Sequence, residues 1–364
     1  DSMNRQTWID CAKAIAIMAV AVDHCNGMLY TNPIIAQASY FSVSLFVLLS
    51  GLTAWISDTY KPLNMKKALR KAGILYLQYA AATFVLVCFY KRFFDLKTYF
   101  DYLIHFSITG PFYFFVFFIQ LVIISPILLL WCKYCGRQRY GWLLHIVTIM
   151  ILCFLSSVCI QYTYILPVHG GGQYLFGGTY IILYYIGMLL GRSGIFMKIK
   201  RSKMIILMIS VLLWTGWLLG CYWQKLPFDR WMNQYWGKGF NPPSVQFGVF
   251  ALITMFLLHA LFSLLEESSI KIFRWLVCLF SWIGRFTIYI FMYHLMVRDI
   301  VFQYFNGANK KVVGGGIFAF VLMIILPAIA ADIVKKFKGV IRGIEKNNSE
   351  YDMGKIFCPY HIHY

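Results

Sequence analysis

The side chains best suited to chemistry lie in one apolar stretch near the start of the sequence. This stretch runs from Trp8 to Tyr30, and four of its residues are ionisable: Asp10, Lys13, Asp23 and His24. An ionisable group inside a long apolar segment is expensive to bury and is a hypothesis of function by default. A lysine can hold an anion, and an imidazole can move a proton near neutral pH. The segment therefore predicts anion binding and proton transfer.

Helix geometry places the lysine and the histidine on one face. Lys13 and His24 are 11 residues apart, which leaves them about 20° apart around a helix and roughly 16 Å apart along it. Asp10 lies one turn below Lys13, and the same face carries smaller residues that leave room for a ligand: Ala14, Ile17 and Ala21. The alternative is structural, with Lys13 reaching the inner interface beside Asp10 and His24 bonded within a bundle. Asp23 adjoins His24, but helix neighbours do not face each other, so it could orient another group.

The composition shows what kind of structure must hold these side chains. Of 364 residues, 60% are hydrophobic, 19% are aromatic and only 13% are charged, and the mean hydropathy is +0.67. A soluble protein has about 25% charged residues. Apolar surface on this scale needs lipid to cover it, which excludes a soluble enzyme, a disordered chain and a disulfide-stapled secreted domain. The sequence predicts an all-α fold, a polytopic transmembrane helix bundle.

Ten segments are apolar enough to cross a bilayer, for which a helix needs about 20 residues. They are residues 8–30, 38–57, 72–90, 111–131, 141–160, 174–191, 204–222, 247–265, 284–304 and 313–333. Transmembrane barrel strands would be shorter and would alternate in polarity, and these segments do not alternate. We expect a single transmembrane domain over residues 5–333, followed by a basic cytoplasmic tail over residues 334–364.

The distribution of Lys and Arg predicts the orientation. With the N-terminus in the cytoplasm, 24 of the 33 Lys and Arg residues fall on the inner side and nine on the outer side. Cytoplasmic loops are enriched in these residues, so both termini are expected in the cytoplasm. The same loops account for the net charge of +19, which in a soluble domain would suggest nucleic acid. We expect no nucleic-acid partner.

Two further features have ordinary explanations. Cys132 and Cys135 have CxxC spacing, but no second pair or nearby His completes a zinc site, so no metal is expected. The outer loops 161–178 and 223–246 are long, and the second is rich in Trp and Tyr. Aromatic residues at this level form an interfacial belt in membrane proteins. They also stack on sugar rings, and the sequence leaves both interpretations open.

The first apolar segment resembles the first helix of acyltransferase family 3, the integral membrane O-acyltransferases that include nodulation-type exopolysaccharide acetyltransferases. The stretch RQTWIDCAKAIAIMAVAVDH is similar to the family's pattern of an Arg, ten residues and a His within LDxxRAIA…H. Asp10 and His24 match the Asp and the His, and Lys13 stands in the Arg position. Lysine keeps the charge but loses the planar fork that binds phosphate through two bonds.

Later segments resemble the family's in the same order along the chain. FSVSLFVLLSG at 41–51 is similar to the family's second helix, and KKALRKAG, which carries Arg70, is similar to the entry of the third without its usual Pro. GPFYFFVFFIQL matches a segment in which Tyr113 replaces Trp. YYIGMLLGR and WIGRFTIYIFMYHL resemble the later segments and carry their motif residues: Arg192, Gly284, Thr287, Tyr289 and His294.

The resemblance implies an activity. Members of the family move an acyl group, usually acetyl, from cytoplasmic acyl-CoA to a hydroxyl outside the membrane, on a glycan or another cell-surface acceptor. It implies a multi-pass protein of the plasma (inner) membrane of a bacterium, surrounded by the lipid bilayer, with acetyl-CoA as donor and no metal. A homo-oligomer is left open.

The resemblance also assigns roles to residues. Anionic CoA would dock at the cytoplasmic mouth on Lys13 with its neighbour Asp10, and on Lys67, Arg70, Arg192 and Arg285. The pantetheine arm would run beside the Lys13–His24 face. His24 would be the general base, with Asp23 as the second catalytic candidate, and a covalent acyl-histidine is the alternative. The substrate-binding candidates are Tyr113 and Ser50, at the thioester oxygen, and His294, whose alternative is a structural histidine near an Arg–Asp pair.

A transporter or flippase that exports an anionic or glycan substrate is the main rival hypothesis. Ten spans, a basic inner mouth and an aromatic outer vestibule suit such a protein. It would favour inverted repeats and helix pairs broken by Gly or Pro, and the sequence shows no convincing internal repeat. A binding module of the same fold without catalysis is a third interpretation.

Overall fold

The computed structural model describes residues 6–27, 30, 32–92, 94–161, 171–224, 241–305 and 313–345. Fourteen α-helices make up nearly all of them, and the described part of the chain contains no β-strand. The helices are α1 Thr7–Asp23, α2 Pro33–Ser39, α3 Ser42–Tyr60, α4 Met65–Lys91, α5 Leu96–His105, α6 Tyr113–Arg137, α7 Gly141–Gln161, α8 Tyr180–Ser193, α9 Ile195–Lys198, α10 Lys203–Gln224, α11 Val245–Glu267, α12 Lys271–Gly284, α13 Thr287–Phe305 and α14 Val313–Glu345. The all-α prediction is confirmed.

Each of the ten predicted spans falls on one of these helices, with shifted ends. The first span ends earlier than predicted, because α1 stops at Asp23 rather than near Tyr30. His24 caps it, and Gly27 follows with φ of +80°, a conformation that glycine adopts at little steric cost. At the other end of the chain, α14 continues past residue 333 to Glu345.

Eight of the described helical segments are long and apolar enough to cross a membrane. Helices α12 and α13 meet at an angle of 81°. If this bent pair is one span, the number of candidate spans rises to nine. Helix α1 has 17 residues, fewer than the usual 20, and packs against α2, α3, α11, α12, α13 and α14. The multi-pass membrane architecture is therefore clear, whereas the count of ten remains a prediction.

Helices α5 and α12 were not predicted from the sequence, and neither were the shorter helices α2 and α9. Helix α5 begins at the cap residue Asp95, whose carboxylate accepts hydrogen bonds from the backbone N–H and the hydroxyl of Thr98. Helix α12 packs most extensively against α1, and it leads into α13 through the sharp bend at Arg285. Both helices are amphipathic and short, with 10 and 14 residues, so neither has the continuous apolar run that marks a span.

Two glycines allow a close crossing of α3 and α8. Helix α3 packs along α8, where a Cβ at Gly51 would collide with the carbonyl of Tyr184, and one at Gly187 would collide with the carbonyl of Leu48. Small residues let transmembrane helices approach until their backbones touch, which maximises dispersion contacts where lipid supplies no hydrophobic driving force.

Side-chain contacts show which helix ends share one side of the bundle. The ends of α3 and α6 are joined by an ion pair between Asp58 and Lys133, and α10 and α11 are joined by Lys203 and Glu267 at 2.5 Å. Trp8 at the start of α1 packs edge-on against the ring of His259 near the end of α11. All these ends belong to the side that the charge distribution predicts to be cytoplasmic. The assignment of that side to the cytoplasm stays a prediction.

Candidate active site

A cavity of about 250 Å³ lies beside α1 in the middle of the bundle. Helices α1, α3, α6 and α13 and the bend between α12 and α13 enclose it. The residues that line it are Asp10, Lys13, Val20, Val43, Phe46, Ser50, Phe114, Phe118, Gly284, Arg285, Thr287, Ile288 and Phe291. Four of the residues singled out from the sequence, on three separate elements, therefore face one space: Asp10, Lys13, Ser50 and Arg285.

One end of this cavity is positively charged. Lys13 projects into it from α1, and Arg285 projects from the bend between α12 and α13. Thr287 and Ile288, the first residues of α13, also line it, and the N-terminus of a helix carries partial positive charge and unpaired N–H groups. These groups together can bind an anion. Asp10 is the acidic residue of the lining and is only 4% exposed.

Gly284 brings these charged groups together. A Cβ at this position would collide with the backbone carbonyl of Asp10, so only glycine lets the end of α12 touch α1. The thiol of Cys11 on α1 lies 3.4 Å from the backbone carbonyl of Val277 on α12. Because α12 packs this closely against α1, the bend between α12 and α13 lies at the level of Asp10 and Lys13.

The rest of the cavity is mainly aromatic. Phe114 stacks on Phe118 with ring centroids 4.8 Å apart, and lies 4.8 Å from Phe291. Ser50 faces the cavity, but its hydroxyl donates to the carbonyl of Phe46 at 2.7 Å. The hydroxyl oxygen of Ser50 can still accept a hydrogen bond from a ligand, whereas its hydroxyl proton is already donated to Phe46. This part of the cavity can hold an apolar chain.

His24 lies one turn beyond the cavity on the same line of α1. Lys13, Val20 and His24 fall within about 40° of each other around the helix, and His24 follows Val20 by roughly 6 Å along the axis. Lys13 and Val20 line the cavity. Ile17, by contrast, is fully packed in the core, as are Ala14 and Ala21. The cavity therefore follows the predicted line of Lys13 and His24 without using the small residues assigned to that face.

A second histidine lies beside His24. The ring centroids of His24 and His294 are 5.2 Å apart, and their planes differ by 31°. Phe291 connects this pair to the cavity, because it lines the cavity and its ring lies 6.0 Å from that of His294. The sequence singled out both histidines separately, and the structure brings them together.

An arginine holds the backbone of His24. Arg298 on α13 donates from Nη1 to the carbonyl of His24 at 2.8 Å, and from Nε and Nη2 to Asp299 at 2.9 and 2.8 Å. The other oxygen of Asp299 accepts a hydrogen bond from the hydroxyl of Tyr90 on α4 at 2.8 Å. The Arg–Asp pair was visible in the sequence as two charges in one span, whereas nothing there pointed to Tyr90.

Tyr113 belongs to an aromatic cluster rather than to the cavity lining. It stacks on Tyr174 with centroids 5.4 Å apart, and the hydroxyls of Tyr174 and Tyr180 both donate to the side-chain oxygen of Asn241. Half-buried Asp23 lies within electrostatic range of Tyr113. This cluster is on the side of the bundle predicted to be outer. Most of the two outer loops, residues 162–170 and 225–240, lies outside the described residues, as does the tail beyond Glu345.

Three basic candidates lie apart from the cavity. Lys67 and Arg70 are exposed on the first turns of α4, where the ammonium group of Lys67 donates to the carbonyl of Pro62 at 2.8 Å. The guanidinium of Arg192 packs against Gly136 and donates to His145 Nε2 at 2.6 Å. The sequence around Arg192 did not indicate these contacts, because they depend on how α8 packs against α6 and α7.

Comparison with known proteins completes the assignment. Neither the curated proteins nor the solved structures contain a match to the chain. A family model, described as an acyltransferase domain, matches residues 6–332. This match covers α1 to α13 and most of α14, including the cavity, both histidines and the arginine that holds His24. The chain therefore belongs to acyltransferase family 3 and is a multi-pass membrane acyltransferase.

Proposed function

We propose that this protein transfers an acyl group, most simply acetyl, from acyl-CoA to a hydroxyl group of an extracytoplasmic glycan or other cell-surface acceptor. One observation carries the proposal: a cavity that is positively charged at one end and aromatic along its length follows α1 toward His24. The charged end suits the phosphates of a CoA donor, and the histidine end suits proton transfer. The residue pattern of the family supports the same donor and acceptor.

The size of the cavity limits which part of the donor it holds. At about 250 Å³ it is smaller than the 300–1,000 Å³ typical of pockets for drug-sized ligands. It therefore suits the acyl group and part of the pantetheine arm, while the nucleotide stays at the mouth. Lys13 and Arg285, which line the charged end, would pair with phosphate oxygens there. Lys67 and Arg70, which are exposed at the same side of the bundle, would extend the basic surface.

His24 is the proposed general base. As the acceptor oxygen attacks the thioester carbonyl, one ring nitrogen of His24 takes the hydroxyl proton. The new C–O bond forms, the C–S bond breaks, and the proton passes to the leaving thiolate to give CoA. A neutral imidazole has one nitrogen that can accept this proton and then release it to the leaving group. Attack by His24 itself, through a covalent acyl-histidine, is the alternative route.

Asp23 and Tyr113 border the acceptor side in this proposal. Asp23 ends α1 next to His24, and Tyr113 belongs to the aromatic cluster with Tyr174. A carboxylate accepts hydrogen bonds from sugar hydroxyls, and aromatic faces suit the C–H faces of sugar rings. A glycan hydroxyl approaching from this side would meet these groups before it reaches His24.

Turnover of the purified protein with radiolabelled acetyl-CoA tests the proposal. We expect release of CoA thiol and transfer of label to a glycan acceptor by the wild type. We expect a loss of at least about 100-fold in turnover for His24→Gln, with acetyl-CoA binding retained. His105→Gln is a matched control, because His105 is a half-exposed histidine on α5 that bonds only to Asp101 within its own helix. Wild-type turnover by His24→Gln would remove His24 from the mechanism.

A further inference from the structure

One ring nitrogen of His294 is buried and has no hydrogen-bond partner among the described residues. Its side chain is on α13 and only 1% exposed, and its Nε2 makes no hydrogen bond to any described residue. An unsatisfied polar atom at such depth costs free energy that a packing role would not require. Because this atom also lies beside the ring of His24, with centroids 5.2 Å apart, it is a candidate for function.

The other ring nitrogen fixes which form of the ring is present. Nδ1 of His294 lies 2.8 Å from the carbonyl of Phe291 and 3.2 Å from the carbonyl of Ile290. Carbonyl oxygens only accept hydrogen bonds, so Nδ1 must carry the proton. In the neutral ring, Nε2 is then unprotonated and carries a lone pair in a buried site. Residue His294 is therefore a fixed hydrogen-bond acceptor.

The ring of His24 is next to this lone pair. The ring centroids of His24 and His294 are 5.2 Å apart and their planes are tilted by 31°, so the two imidazoles are in contact, although Nε2 of His294 makes no hydrogen bond to a described residue in this ring orientation. Arg298 binds Asp299 and the carbonyl of His24, and Asp299 accepts from Tyr90, so these two charged side chains are committed elsewhere. Rotation of the His24 ring by half a turn exchanges each ring nitrogen with a ring carbon, and so can turn a nitrogen of His24 toward His294.

We propose that His294 is the positioning residue of His24: its Nε2 accepts a hydrogen bond from one ring N–H of His24 and so leaves the other nitrogen as the base. This inference rests on the proposed function of His24. It accounts for the unpaired nitrogen, for the tautomer of His294, and for the arginine that keeps the backbone of His24 in place. The acceptor hydroxyl then gives its proton to a nitrogen whose orientation is already set.

Three variants separate this role from packing. His294→Phe keeps an aromatic ring and removes the lone pair. His294→Gln keeps an acceptor oxygen near the position of Nε2. His259→Phe is the matched control, because His259 is also buried, packs against Trp8 and Phe196, and has an unpartnered Nδ1 away from the cavity. We expect His294→Phe to lower kcat roughly 100-fold with KM for acetyl-CoA unchanged, and His294→Gln to stay within about tenfold of the wild type. The control should keep wild-type kinetics.

Nitrogen NMR of histidine-labelled protein gives a readout that does not need turnover. In the wild type, one nitrogen of His24 should be protonated and coupled across a hydrogen bond to Nε2 of His294. In His294→Phe, the coupling should vanish and His24 should populate both tautomers. Absence of this coupling in the wild type, or equal loss of kcat in the Phe and Gln variants, would overturn the proposal. If the wild type transfers no acyl group, the proposed function fails while the NMR result still decides whether His294 orients His24.

Discussion

At the scale of single residues, the guanidinium of Arg298 links three helices. It binds the last carbonyl of α1 and the carboxylate of Asp299, and that carboxylate is bound in turn by Tyr90 of α4. Carbonyls at a helix C-terminus lack partners within the helix, and a cation there is favourable. This network therefore determines where the His24 ring lies, because the ring can move only as far as its pinned backbone allows.

Replacement of Arg298 by Met should impair catalysis without impairing donor binding. The variant keeps much of the side-chain length and loses every hydrogen bond to His24 and Asp299. A displacement of about 1 Å at a catalytic group can cost roughly 100-fold in rate, and we expect a loss of 10- to 100-fold in kcat. The dissociation constant for acetyl-CoA, measured by calorimetry, should stay near the wild-type value. Arg139→Met, at an exposed loop position, is the control. Equal kcat in both variants would show that the hydrogen bonds of Arg298 do not contribute to catalysis.

Lys13 is expected to act on the donor. Its ammonium group lines the charged end of the cavity with Arg285, so Lys13→Ala should weaken acetyl-CoA binding by roughly tenfold or more, in line with loss of a charge-assisted contact. Lys13→Arg keeps the charge and should be active. Calorimetry with acetyl-CoA checks both. Unchanged affinity in Lys13→Ala would contradict docking of the phosphates at this end.

At the scale of helices, the crossing of α3 and α8 depends on glycine. Gly51→Ala would push a methyl group into the carbonyl of Tyr184, and overpacking of this kind typically costs about 1–3 kcal/mol. Gly73→Ala makes the same change inside α4, where a Cβ meets nothing within 4 Å. There the better helix propensity of Ala should leave stability equal or higher by up to about 1 kcal/mol. Thermal unfolding in detergent should show a lower Tm for Gly51→Ala alone. An equal Tm for both variants would show that the crossing tolerates a methyl group.

The helices also show how far a sequence can predict such a structure. The long spans could be located because twenty apolar residues have few alternatives to a membrane helix. Helices α5 and α12 were missed because short amphipathic segments lack that signal, and the end of α1 was misplaced because its apolar run continues beyond Gly27.

The same limits apply to the candidate site. Charges inside spans identified Lys13 and His24, and the family resemblance pointed to Arg285 and His294. Arg192 was grouped with the cavity because its side of the membrane could be predicted, whereas its contact with His145 depends on packing between helices. Contacts of this kind, like that of Tyr90 with Asp299, join residues far apart in the chain and leave no local pattern.

At the scale of the whole molecule, the proposed site runs along α1 inside the bundle rather than lying at one surface. Lys13 and His24 are separated by roughly 16 Å along α1, about half of the 30 Å hydrocarbon thickness of a bilayer. A donor held at the inner end can therefore present its acyl group near the outer half while its charged nucleotide stays in water. Such an arrangement would move an acyl group across the membrane without moving the whole donor.

This arrangement requires the bundle to face the correct way, and labelling of single cysteines can test it. Lys66 and Lys97 are both exposed. Lys66 lies at the start of α4, whereas Lys97 lies in α5, just after the other end of α4. In a cysteine-free background, Lys97→Cys should react with a membrane-impermeant maleimide in intact cells, because it lies on the side with few Lys and Arg. Lys66→Cys should react only after permeabilisation. The reverse pattern would place Lys13 and Arg285 on the outer side, out of reach of cytoplasmic acyl-CoA, and would refute donor entry from the charged end of the cavity.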